Sequence, residues 1–97
     1  ETPKQPTIER DLSVIVEEAT PGRAIESAVL ETSPAELESL QFVGTYRGKP
    51  IPKGSKSVTL RMVFRAADRT LRHEQVDPQM DAALEALKTK LHAELRT

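Results

Sequence analysis

The 97-residue sequence has no cysteine, no tryptophan and no asparagine, and only three aromatic residues, Phe42, Tyr46 and Phe64. The lack of cysteine excludes disulfides, a thiol nucleophile and cysteine-ligated metal, and is compatible with a reducing compartment. No apolar run approaches the roughly 20 residues a membrane helix needs, and no signal peptide is evident. Histidine is almost as scarce. His73 and His92 stand alone near the ends of a helical pattern, without H-x-x-x-H or H-E-x-x-H spacing, so capping is the simplest role for both. The four glycines form no phosphate cradle, because the glycine-bearing loop feeds a strand and not a helix. Acids are plentiful, but Glu17, Glu18, Glu36 and Glu38 read as solvated surface, and no pair is forced into a shared apolar pocket as acid–base catalysis would want.

Charge is abundant and unevenly placed. Net charge is −1. Residues 1–46 carry three basic against nine acidic residues, residues 47–72 eight against one, and residues 73–97 three against five. The middle block, at +7, is a local field of the kind that attracts polyanions. Within it, YRGKPIPKGSKS (46–57) gathers Arg47, Lys49, Lys53 and Lys56 around the single tyrosine, punctuated by Gly48, Pro50, Pro52 and Gly54.

The chain is short enough for one domain with one modest core. Residues 1–7 (ETPKQPT) lack apolar periodicity and read as a lead-in; the domain is set at 7–97, with 1–6 as linker or tail. The chain starts at Glu1 without an initiator methionine, which is expected of a fragment or a processed chain.

Residues 8–18 alternate, with Leu12, Val14 and Val16 on one face and Ser13 and Ile15 on the other, which predicts a strand. Thr20 and Pro21 then suit the N-cap and first position of a helix whose stripe is Ile25, Ala28 and Val29, ended before Pro34. LESLQFVGTYRG predicts a second strand. In SVTLRMVFRA, Val58, Leu60, Met62 and Phe64 oppose Ser57, Thr59, Arg61, Val63 and Arg65, a third strand joined to the second by a hairpin loop. Val76, Met80, Ala83, Leu84, Leu87 and Leu91 mark a second helix, with its start at Asp77-Pro78 or slightly earlier. The closing HAELR fits a helix end or a short strand.

This order predicts an α+β ferredoxin-like split β-α-β sandwich, a four-stranded antiparallel sheet with both helices on one face. The open face then presents Ser13, Ile15, Gly44, Tyr46, Ser57, Thr59 and Arg61, small, polar or basic groups around one ring. Such a surface suits unpaired RNA bases, stacked on the aromatic and steered by the cations.

ERDLSVIV, TYRGKPIPKGSKSVTLRMVFR and RTLRHEQV, in this order and spacing, resemble the C-terminal ferredoxin-fold anticodon-binding domain of bacterial phenylalanyl-tRNA synthetase β subunits, from about Pro6 to Arg96. The resemblance makes HAELR the fourth strand. It implies a non-catalytic module of an ATP-dependent phenylalanine–tRNA ligase, cytoplasmic and without a membrane. The partners would be the anticodon stem-loop of phenylalanine tRNA, the rest of the β subunit and the α subunit. ATP and magnesium would be bound elsewhere in the parent enzyme and no cofactor here. The family's base contacts carry over to Ser13, Tyr46 and Ser57. Its usual Phe-Asp is Val43-Gly44 here, so an acceptor is missing at Gly44. Where the family often has threonine, Arg72 stands, which shifts the expected helix cap toward Asp77. With the basic residues, the expected RNA-binding set is Ser13, Gly44, Tyr46, Arg47, Lys49, Lys56, Ser57 and Arg61.

Two other functions fit the fold. One is a ferredoxin-like protein-interaction or regulatory module that uses the sheet face or an edge strand. The other is a small hydrolase of the acylphosphatase kind, which needs an asparagine beside its anion-holding arginine and is disfavoured by the absence of that residue.

Overall fold

Residues 5–96 are described by a computed structural model; the first four residues of the expected tail, and Thr97, lie outside the described residues. The chain runs β1 (Ile8–Glu17), α1 (Gly22–Leu30), β2 (Leu37–Tyr46), β3 (Ser55–Phe64), α2 (His73–Leu91) and β4 (Glu94–Leu95). The strands form one antiparallel sheet in the order β2-β3-β1-β4, a ferredoxin-like arrangement as the sequence predicts. β1 and β3, the two strands with the cleanest alternation, pair along their full length in the centre, from Ile8 opposite Phe64 to Glu17 opposite Ser55.

Both helices bury their apolar stripes on one face of this sheet. Leu12, Val14 and Val16 of β1 and Leu60, Met62 and Phe64 of β3 meet Ile25, Ala28 and Val29 of α1 and Val76, Met80, Ala83 and Leu87 of α2 in a single core. Val63 points to the opposite face yet is also buried, in mid-sheet between Glu9 and Ser39.

Two helix starts differ from expectation. Thr20 lies in the turn that follows β1, where its N–H bonds the Glu17 carbonyl (3.0 Å). The cap residue of α1 is Pro21, extended at φ −76°, ψ 151°, with no side-chain cap. Proline's fixed φ suits either position, so composition does not separate them. α2 starts at His73, earlier than Asp77, with Arg72 as its extended cap residue. Gln75 explains this: its side-chain oxygen accepts from the Arg72 N–H (2.9 Å), half of a capping box that works without threonine. Pro78 then sits one turn inside the helix, and its ring removes only the N–H that would bond the Glu74 carbonyl. At the other end His92 is left-handed (φ 55°) and the Ala93 N–H bonds the Leu87 carbonyl (3.2 Å), which turns the chain into β4.

β2 pairs with β3 through two irregularities, one between Leu37 and Ser39 and one between Phe42 and Gly44. Each adds a residue to β2 and restores the parity that burial requires. Leu37, Leu40 and Phe42 therefore stand opposite the core residues Phe64, Met62 and Leu60, while Gly44 and Tyr46 stand opposite Thr59 and Ser57 on the open face. Phe42 is half-exposed at the sheet edge, with its ring laid over Gly22 at the start of α1.

Phe64 is fully buried between sheet and helices. Phe64→Ala is expected to destabilise the chain by about 3–5 kcal/mol, read as a lowered urea midpoint with little change in slope.

Candidate nucleic-acid interface

The face of the sheet away from the helices is ordered in rows by the strand register. One row is Gly44, Thr59, Ser13; the next is Tyr46, Ser57, Ile15; a third is Gln41, Arg61, Asp11. The sequence-predicted residues Ser13, Gly44, Tyr46, Ser57 and Arg61 are thus brought onto one surface. Ser13 and Thr59 share a hydroxyl–hydroxyl hydrogen bond of 2.7 Å across the strands. A side chain built on Gly44 would meet nothing within 4 Å, so the row ends in open space beside Tyr46, which is 46% exposed. The result is a flat surface with one ring, small hydroxyl side chains and open space at Gly44.

The hairpin of residues 47–54 holds the ring in place. Gly48 (φ 101°) and Gly54 (φ 86°) adopt left-handed backbone that a side chain would strain. The Tyr46 hydroxyl donates to the Lys49 carbonyl (2.7 Å), the Ile51 N–H to Gly48 (2.7 Å), and the Ser55 N–H to Pro52 (3.1 Å). Ile51 is buried beneath the loop. The hairpin is tied to the end of β1 by the Glu18 N–H on the Gly54 carbonyl (2.8 Å) and by a bidentate pair of Arg47 with Glu18 (2.5 and 2.7 Å).

The basic block is mostly compensated by acids from elsewhere in the chain. Lys56 stands 3.9 Å from Glu18. Arg61 grips Asp11 bidentately (3.0 and 3.2 Å), with Glu9 at 3.8 Å. Arg65 pairs with Glu38, Arg69 with Glu36 and Asp68, and Arg72 with Glu74. Among the described residues, Lys49 and Lys53 in the hairpin are the block's two cations without a carboxylate in ion-pair range. Of the basic residues expected to meet RNA, Lys49 is therefore free, while Arg47, Lys56 and Arg61 are shared with acids.

One residue of this surface is absent from the set predicted by sequence. Arg96 follows β4, and its N–H bonds the Ser13 carbonyl (2.9 Å), which extends the Gly44, Thr59, Ser13 row. Its guanidinium reaches back across β1, with Nη1 3.3 Å from Ser57 Oγ and its carbon 5.1 Å from the centre of the Tyr46 ring. Ser57, flanked also by Tyr46 and Ile15, is only 2% exposed. The signal was present in HAELR: once Leu95 pairs with Val14 on the helix side, alternation sends Arg96 to the open face.

Two predictions follow from this geometry. Gly44→Ala is expected to shift stability by less than about 0.5 kcal/mol, since a Cβ there meets nothing, whereas Gly54→Ala costs about 1–2 kcal/mol because of its positive φ; thermal melts of the two compare directly. Hydrogen bonds from Arg61 and Arg47, reinforced by their charge, hold the Asp11 and Glu18 carboxyls below the usual carboxylate range. The stability these pairs contribute is present above the unfolded carboxyl pKa and is lost as pH falls through the depressed folded values. In an NMR titration Asp11 should titrate below an ordinary aspartate and return toward it in Arg61→Ala.

Comparison with known proteins identifies the family of the chain. The family model described as ferredoxin-fold anticodon binding domain matches residues 3–96. Three relatives carry the name phenylalanine–tRNA ligase β subunit. The one from Moorella thermoacetica is 34% identical over 94 residues, 97% of this chain and 12% of the relative. That from Symbiobacterium thermophilum is 37% identical over 95 residues (98% and 10%), and that from Clostridium acetobutylicum 36% over 94 (97% and 12%). The chain thus spans about a tenth of the length of these relatives. With nearly every residue inside the family match, from the lead-in to Arg96, this chain belongs to the ferredoxin-fold anticodon binding domain family.

Proposed function

We propose that this chain is the non-catalytic tRNA-binding module of a phenylalanine–tRNA ligase β subunit, and that it holds the anticodon stem-loop of phenylalanine tRNA on its open sheet face. The observation that carries this reading is the pairing of a half-exposed Tyr46 ring with open space above Gly44 in adjacent rows of a polar sheet face. An unpaired base has a ring to stack on and hydroxyls at Ser13, Thr59 and Ser57 to bond at its edge. Lys49 and Lys53 on the hairpin stand ready for the RNA backbone, and Arg47, Lys56 and Arg61 can share their donors between Glu18 or Asp11 and a phosphate. Amino-acid activation, with its ATP and magnesium, belongs to the rest of the ligase and to the α subunit. With the acid absent at Gly44, base recognition here rests on stacking and hydroxyl donors.

A second reading, a protein-interaction module, draws on the edge strand β2, where Phe42 and Val43 are half-exposed side by side. It predicts a mass that rises with concentration and no affinity for RNA.

Titration of a labelled anticodon stem-loop at 50 and 200 mM salt separates the two. Binding should weaken with salt, and Tyr46→Ala should cost about 1–3 kcal/mol of affinity at either concentration. Binding that is indifferent to both salt and Tyr46 would overturn the sheet-face reading.

A further inference from the structure

Arg96 stands apart from the other arginines of the sheet. Arg47, Arg61 and Arg65 are each gripped by a carboxylate through two nitrogens. Arg96 has no carboxylate in ion-pair range among the described residues; a single 3.3 Å hydrogen bond to Ser57 and an offset position over Tyr46 hold its guanidinium. Its backbone is fixed by the bond to Ser13, so only the side chain is free to change place. The side chain is partly buried, and what holds it is one 3.3 Å hydrogen bond and one cation–π contact, with no ion pair among the described residues to break.

The position also has a consequence for access. The Ser57 hydroxyl lies beneath this guanidinium and one approach to the Tyr46 ring is occupied by it. A base that bonded Ser57, or stacked on the Tyr46 ring from the occupied side, would have to displace Arg96. The displaced guanidinium, still anchored at the rim of the same face, carries a full charge and unsatisfied N–H donors, which suit a phosphate of the incoming strand.

We propose that Arg96 is the exchangeable cation of the open face: it rests on Tyr46 and Ser57 in the free chain and transfers to an RNA phosphate when a base takes its place. This rests on the RNA-binding reading and adds to it a specific residue and a displacement.

The test uses the purified chain and the phenylalanine-tRNA anticodon stem-loop. Arg96→Ala should lower the slope of log K against log salt by about 0.7–0.9, so that the loss of affinity between 50 and 200 mM salt shrinks about threefold. Arg96→Lys should restore the slope. Arg23→Ala removes the same charge from α1, on the helix side, and should leave the slope near wild type. A second readout needs no RNA. Tyr46 is the only tyrosine and there is no tryptophan, so intrinsic fluorescence reports on this ring alone. Arg96→Ala should raise its quenching by acrylamide, and Arg96→Lys less so. An Arg96→Ala slope equal to that of Arg23→Ala, or unchanged quenching, would overturn the proposal while leaving RNA binding intact. Failure of the wild-type chain to bind the stem-loop would overturn the reading beneath it.

Discussion

The parity of β2 is the constraint on which the open face depends. Side chains in a strand alternate with a period of two, so one added residue exchanges the faces of everything beyond it. Leu40 and Phe42 must face the helices, and Tyr46 must face away. Strict alternation puts all three on the same side. The irregularity between Phe42 and Gly44 resolves the conflict by inserting Val43 out of register. Without it, Tyr46 would be driven toward the helix side, and Gly44 would no longer leave its opening beside Thr59 and Ser13. The hairpin then fixes what the bulge has aimed, through the Tyr46 bond to Lys49 and the ties from Gly54 and Arg47 to Glu18.

Charge on this face is a matter of pairing more than of sum. The +7 block lies between acidic flanks in sequence, and folding lays β1 antiparallel against β3, which brings Asp11 to Arg61 and the end of β1 to the hairpin. Bidentate pairs of this sort orient the arginines at the surface more than they stabilise the fold, since exposed ion pairs contribute little net free energy. The positive charge left over is carried by lysines at the hairpin tip and by Arg96 at the opposite rim, with the ring and hydroxyls between them. This distribution fits a strand that crosses the sheet with phosphates at both sides.

Much of the architecture was legible in the sequence because its two central strands alternate without interruption and both helices carry long apolar stripes. Leu12, Val14 and Val16 and Leu60, Met62 and Phe64 are buried as the period of two requires. The two-residue strand β4 was too short for periodicity to separate from a helix end; the family resemblance supplied it. The caps were misplaced because proline's fixed φ lets Pro21 serve as cap or first residue, because Pro78 is accommodated one turn inside α2, and because the Gln75 side chain caps the Arg72 N–H. The bulge at Val43 is marked in the sequence only by Gly44, a glycine inside a strand pattern. Of the face itself, the Ser13 and Ser57 placements follow from the uninterrupted strands β1 and β3, those of Gly44 and Tyr46 depend on the bulge, and which cations are free depends on partners far apart in the chain, such as Arg47 and Glu18, 29 residues apart. For Arg96 the register of HAELR gives the face, but its contacts with Ser57 and Tyr46 lie on β3 and β2, far from it in the chain.

The central claim is that RNA meets the open face of the sheet and not the helical layer or the β2 edge. Backbone amide shifts in NMR spectra of the labelled chain, followed as the anticodon stem-loop is added, test it most directly. The account predicts that the largest changes fall on Ser13, Gly44, Tyr46, Ser57, Thr59 and Arg96 and on the hairpin, while α1 and α2 stay still. Changes concentrated on α1, or along Phe42 and Val43 with the sheet face unmoved, would contradict it.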